Sequence, residues 1–219
     1  LDLVKTILKI VIVLGIGSLS AVGGVVYALF QHELKRLLAL HSIENIGIIV
    51  LGLGACLVLR SRGEEAWAAF ALGAALLHTV NHAVFKALLF LGAGAFERAV
   101  GSLELDRLGG LLRRMPWTGG AFLGGAMAIA GLPPLNGFAS EWLTLQALLR
   151  IPAYGEVPDG LAGAVALAAL AATAGLAALC FVKVVGLVLL GSPRRQAVAE
   201  AEEAPWPMVG AVVFLALAC

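Results

Sequence analysis

Charge is scarce in this chain. Of its 219 residues, 15 are Lys or Arg and 14 are Asp or Glu, so 13% are charged, where a soluble domain carries about 25%. With 61% hydrophobic residues, too little polar material remains to cover the water-facing surface of a domain this size. The signs nearly cancel, at a net charge of +1, and no basic run is interleaved with aromatics, which excludes a nucleic-acid surface. Cysteine is rare as well. Cys56, Cys180 and Cys219 lie far apart in apolar runs, without metal-ligand spacing and short of the four thiolates that an iron–sulfur cluster usually takes. They are expected as small buried hydrophobes, and neither a metal nor a cofactor is expected. Residue 1 is Leu, and no basic stretch with a small-residue cleavage site follows it. The last apolar run, 206–219, is shorter than the about 20 residues of a membrane span. The chain is therefore expected to be a piece of a longer protein.

What the chain has instead is long apolar runs. They predict an all-α polytopic transmembrane helix bundle of about five full spans plus a truncated sixth: 4–30, 43–59, 66–96, 117–149, 161–190 and 206–219. The division expected is a bundle over 1–190, a polar linker over 191–205 and the start of a further span. The first span is rich in small residues, Gly15, Gly17, Ser18, Ser20, Gly23 and Gly24, which allow close helix packing in lipid. Lys5 and Lys9 near its start are placed to snorkel. The run QHELKRLLALHS is expected as a polar loop. Ser42 is then the cap of the second span, with Glu44 in its favourable first turn. The alternative for Glu44 is proton entry at the mouth of that span.

The third span carries the chemistry. It is apolar almost throughout, yet holds His78, Asn81, His82 and Lys86. Steps of four residues share a helix face and rise roughly 6 Å each, so the two histidines and the lysine form a ladder about 12 Å long. A charged group at the bilayer centre costs about 2.5–3.5 kcal/mol on insertion scales, so such groups are read as functional first. The fourth span is too long for one straight crossing, and its middle, GLPPLNG, accounts for that. Pro133 and Pro134 remove two backbone donors, and Gly131 and Gly137 loosen the chain on either side. A discontinuous helix is predicted around Gly131–Gly137; broken helices mark ion sites in transporters. Glu141 follows by one turn, with half-helix capping as its plainer role, and Asn136 is expected as a local cap or turn residue. Lys183, in the fifth span, is either a further member of the path or a snorkelling lysine.

Histidine titrates near neutrality, and burial moves Lys and Glu toward it. A hydrated axis through His78, His82, Lys86 and Glu141, with Lys183 and the weaker Glu44 and Asn81, is therefore expected to carry protons. A metal site at the i and i+4 histidines lacks a third ligand nearby. Two haem ligands must approach from opposite faces, which neighbours on one helix cannot do. A plain structural hydrogen-bonded pair remains open for either histidine alone. The loops after spans one, three and five hold 8 Lys and Arg, against 5 on the other side when Lys5 and Lys9 are included; the positive-inside rule puts the first set in the cytoplasm.

Three stretches, HTVNHAVFKALLFLGAG, LKRLLALHSIENIGII and GLPPLNGFASEWLTLQALL, resemble the antiporter-like, proton-conducting membrane subunits of respiratory complex I, membrane-bound hydrogenases and multisubunit cation/proton antiporters. The variants HSIENIG and LPPLNGFASEW look most like the hydrogenase 4 and formate hydrogenlyase membrane subunit. The resemblance implies a core of two inverted five-helix repeats, each with a broken helix, of which this chain looks like the second. It implies that His78, His82 and Lys86 belong to a central hydrophilic axis, and that Glu141 stands where other members carry Lys or Glu. It also implies other membrane subunits as partners, a bacterial or archaeal cytoplasmic membrane, and no redox centre in this subunit. The alternatives are a subunit of a multisubunit sodium/proton antiporter, a non-translocating structural membrane anchor, and a metal transporter using His78 and His82.

Overall fold

The computed structural model describes residues 2–154 and 159–219, and side chains over 12–152 and 160–219. The snorkelling expected of Lys5 and Lys9 falls outside the described side chains. In chain order the helices are α1 (Asp2–Leu29), α2 (Leu34–Ser61), α3 (Glu65–Val100), α4 (Leu111–Arg114), α5 (Pro116–Ile129), α6 (Asn136–Tyr154), α7 (Asp159–Val184), α8 (Gln196–Ala199) and α9 (Trp206–Leu217). A 3-10 turn at Leu105–Arg107 precedes α4, and a π-helical stretch, Val185–Leu189, extends α7. Four segments are long and apolar enough to cross a membrane: Ile12–Leu29, Leu34–Ser61, Glu65–Val100 and Gly160–Leu189. The fifth crossing is the broken helix, α5 and α6, interrupted over 130–135. Gly137 thus lies inside the first turn of α6 rather than in the break.

The second span begins at Leu34, not at residue 43. Glu33 is its N-cap, accepting from the amides of Lys35 at 3.0 Å and Arg36 at 2.7 Å, which satisfies two of the helix's orphan donors. The expected loop is therefore mostly helix. Ser42 caps nothing; it sits mid-helix, its hydroxyl bonded back to the Leu38 carbonyl at 3.4 Å. Glu44 is correspondingly a buried interior residue, not a first-turn one.

α1 and α2 pack backbone to backbone. A Cβ on Gly24 would lie 2.6 Å from the Glu44 amide nitrogen and 2.9 Å from its Cα. A Cβ on Gly47 would run into the backbone of Ala21 and Gly17. Gly15 and Gly23 face open space, so of the small residues on α1 only some carry this contact.

The loops sort onto two ends. At one end, the Leu34 amide donates to Leu103 O at 3.0 Å and the Leu105 amide to His32 O at 2.8 Å. Lys35 pairs with Glu97, the Gly110 amide donates to Leu190 O at 2.8 Å, and Arg194 donates to Leu105 O at 3.0 Å. The segments after spans one, three and five therefore share one face. At the other end, Arg62 donates to Ile151 O at 2.8 Å and Arg150 stacks 5.0 Å over the Trp67 ring. On the first face Glu203 closes the N-terminus of α5, accepting from Trp117 N at 2.9 Å and Thr118 Oγ1 at 2.6 Å. Glu203→Ala should cost about 1 kcal/mol, as loss of a cap does, read as a lowered Tm of the full-length protein in detergent.

Two larger apolar cores fill the bundle. One, toward the first face, holds Phe85, Phe96, Phe122 and Leu38. The other holds Leu14, Leu51, Val58, Leu148 and Leu170. Between them, on α2, α3 and α6, lies a layer of buried polar residues: His41, Glu44, Asn45, His78, Asn81 and Ser140.

Candidate functional site

The polar layer sits where the broken helix restarts. α5 rises about 21 Å at 1.5 Å per residue from the first face before it stops, so the restart lies deep in the bundle. Gly131 takes φ +64° there, a left-handed conformation suited to glycine, and Pro133–Pro134 is cis. The close return of α6 depends on Gly137, where a Cβ would overlap the Ala128 carbonyl.

His78 is fully buried and held at both ring nitrogens. Nε2 lies 3.1 Å from Asn45 Oδ1 and Nδ1 lies 2.9 Å from Ser140 Oγ. Asn45 spends its amide on the His41 carbonyl, Nδ2 to O 2.7 Å, so its oxygen faces His78 and Nε2 is the nitrogen that donates. In the neutral ring Nδ1 then accepts. Ser140 Oγ accepts a hydrogen bond from Asn81 Nδ2 at 3.1 Å. Its single hydroxyl hydrogen has three acceptors in range: His78 Nδ1, Gly137 O at 3.1 Å and Asn136 O at 3.2 Å. Asn81 also donates to Asn136 O at 2.7 Å. Asn136, expected as a cap or turn residue, is the first residue of α6 after the break; its side-chain amide has no hydrogen-bond partner among the described residues and so caps nothing there, while its backbone N–H donates to Cys219 O at 2.7 Å.

Two turns along α3, Lys86 is 7% exposed and donates to the Leu38 carbonyl of α2. Its ammonium also stands 5.7 Å from the Phe90 ring centroid. His82 lies between His78 and Lys86, half-buried, its ring 5.6 Å from that of Phe85 and its Nε2 without a partner among the described residues. Glu141 places its carboxylate against Gly131 and borders a cavity of about 180 Å³ lined also by Phe138, Trp142, Leu145 and Leu170. Lys183 stands apart from the layer. It donates to Leu29 O at 2.7 Å, an orphan carbonyl at the negative end of α1, and to Gln31 O just beyond it at 3.1 Å. Cys180 is buried, Cys56 and Cys219 are half-buried, and all three are free.

The structure adds three residues to those singled out in the sequence. His41, assigned to a loop, is 0% exposed and pairs with Glu44. Asn45 joins α2 to His78, and Ser140 joins α6 to it. The signal for the first two was periodic: Leu34, Leu37, Leu38, His41, Glu44, Asn45 and Ile48 follow the spacing of one helix face.

Fold and site together define an integral membrane helix bundle with ionisable groups gathered at the restart of a discontinuous helix. The chain belongs to the family described as NADH:quinone oxidoreductase/Mrp antiporter, transmembrane, whose model matches residues 3–157. It is 44% identical over 209 residues to hydrogenase-4 component B of Escherichia coli, covering 95% of this chain and 31% of that one. It is 42% identical over 204 residues to formate hydrogenlyase subunit 3 of the same organism, covering 93% and 34%. The chain thus spans about a third of the length of these relatives. Among solved structures, a chain of the membrane-bound sulfane sulfur reductase, an archaeal respiratory membrane complex, superposes with TM-score 0.77 at 27% identity over 94% of this chain and 31% of that one.

Proposed function

We propose that this chain is part of a proton-translocating membrane subunit of a redox-driven complex of the hydrogenase 4 or formate hydrogenlyase type, and that protons move along Lys86, His82, His78 and Glu141. The observation that carries this reading is the buried hydrogen-bonded line from Asn45 through His78 to Ser140 and Asn81, which joins three helices at a helix restart. Buried polar groups of this kind are costly in a membrane bundle and mark ion paths. Asn81 and Ser140 hold the path in position, and Lys183 serves the end of α1. The redox chemistry belongs to partner subunits of the same complex. Both ring nitrogens of His78 are occupied by protein partners, which disfavours a metal transporter built on His78 and His82.

The test uses the full-length parent protein in its complex, in inverted vesicles, with proton uptake and electron transfer followed together. His78→Gln and Glu141→Gln should each cut proton uptake by about 100-fold, the lower range for loss of a positioned acid–base group, while the complex still assembles. Uptake at the wild-type rate in both would leave a structural anchor. The family description also covers Mrp antiporters; sodium-linked proton exchange without any electron donor would favour that reading.

A further inference from the structure

We propose that His41 and Glu44 form a proton-holding pair that takes up the proton of Lys86 and returns it. The inference rests on the proton-path reading above and adds a branch on α2 to the ladder on α3. His41 Nδ1 and Glu44 Oε2 are in hydrogen-bond contact, with side chains 0% and 2% exposed. Lipid is shut out on two sides. Gly24 of α1 lies against the Glu44 backbone, and the Phe181 ring of α7 stands 4.8 Å from that of His41. Burying a carboxylate and an imidazole costs free energy even when they bond to each other, so packing alone gives little reason for this pair.

Its surroundings give a chemical reason. Lys86 donates to the carbonyl of Leu38, three residues before His41 and so about 4.5 Å away along the axis of α2. His41 Nε2 is buried and has no hydrogen-bond partner among the described residues. The pair therefore lies about one helical turn from the carbonyl that the lysine of the ladder engages. The titratable groups of α3 that reach this stretch of α2 are Lys86, on the Leu38 carbonyl, and His78, on Asn45; α7 brings Phe181 and α1 brings Gly24.

The step balances without any co-reactant. An N–H bond of the Lys86 ammonium breaks and leaves a neutral amine. An N–H bond forms at His41 Nε2, giving an imidazolium whose Nδ1–H stays on the Glu44 carboxylate. No electron moves and the total charge is unchanged. The reverse step recharges Lys86.

Glu44→Gln, His41→Gln, Glu44→Asp and Lys86→Ala are compared in the full-length protein, in its complex, in inverted vesicles. Glu44→Gln and His41→Gln should lower proton uptake about 100-fold, as loss of an acid–base partner does. Glu44→Asp should restore part of the rate with a displaced pH profile, which a merely structural role would not produce. Wild-type uptake with an unaltered pH profile in Glu44→Gln, or in both His41→Gln and Glu44→Asp where the Gln variant fails to assemble, overturns the proposal. If Lys86→Ala alone stops uptake, only this branch fails; if Lys86→Ala is also silent, the whole path fails.

Discussion

Replacing Lys86 with alanine in the full-length protein should abolish proton uptake while electron transfer in the complex continues. The variant should also assemble. Removing a cation from the middle of an apolar helix relieves an insertion cost of about 2.5–3.5 kcal/mol. The Leu38 carbonyl that Lys86 engages lies inside α2 and keeps its own helical hydrogen bond. Loss of uptake can then be assigned to the missing proton carrier. Lys86→Arg sharpens the point, because a guanidinium keeps the charge but does not release its proton in a protein. It should be as inactive as the alanine form. Wild-type uptake with arginine at this position would make Lys86 a fixed positive charge and move the carrier elsewhere.

The second large effect is expected at Gly137. A Cβ there would overlap the carbonyl of Ala128, a backbone group that no side-chain rotation can clear. Gly137→Val should therefore force α6 away from the end of α5, at a cost of at least about 1–3 kcal/mol as overpacking does, seen as a lowered Tm of the full-length protein in detergent. The displacement also carries Ser140 off His78, now 2.9 Å away, so uptake should fall further than the loss of assembled protein accounts for. Gly94, whose Cβ position is open, supplies the neutral comparison as Gly94→Ala. An unchanged Tm for Gly137→Val would mean that the restart of α6 is looser than its geometry shows.

The bundle and the break were legible because both follow from backbone and solvent physics. Long apolar runs must be helices in lipid, and paired prolines with flanking glycines must interrupt one. The ladder on α3 was legible because four-residue spacing fixes a shared face. The α2 half of the site was hidden by its polarity. QHELKRLLALHS resembles a loop when polar residues are taken to seek water, yet here Glu33 caps the helix and His41, Glu44 and Asn45 face the bundle interior. In a membrane bundle the inward face can be the polar one, so the period was the better guide. Ser140 carries no signal of its own in the sequence; its importance comes from where the break sets α6 against α3.

Ser140 has one hydroxyl hydrogen and three acceptors within reach. With the hydrogen on the Asn136 or Gly137 carbonyl, the serine oxygen is open to receive from a charged His78; with it on His78, the ring is neutral and its Nδ1 is occupied. On the proposed path, a proton leaving His78 past Ser140 would reverse the polarity of that contact, and a second could not follow until the hydroxyl had swung back. Traffic through the layer would then be single file, each transfer followed by a turn of one serine hydroxyl.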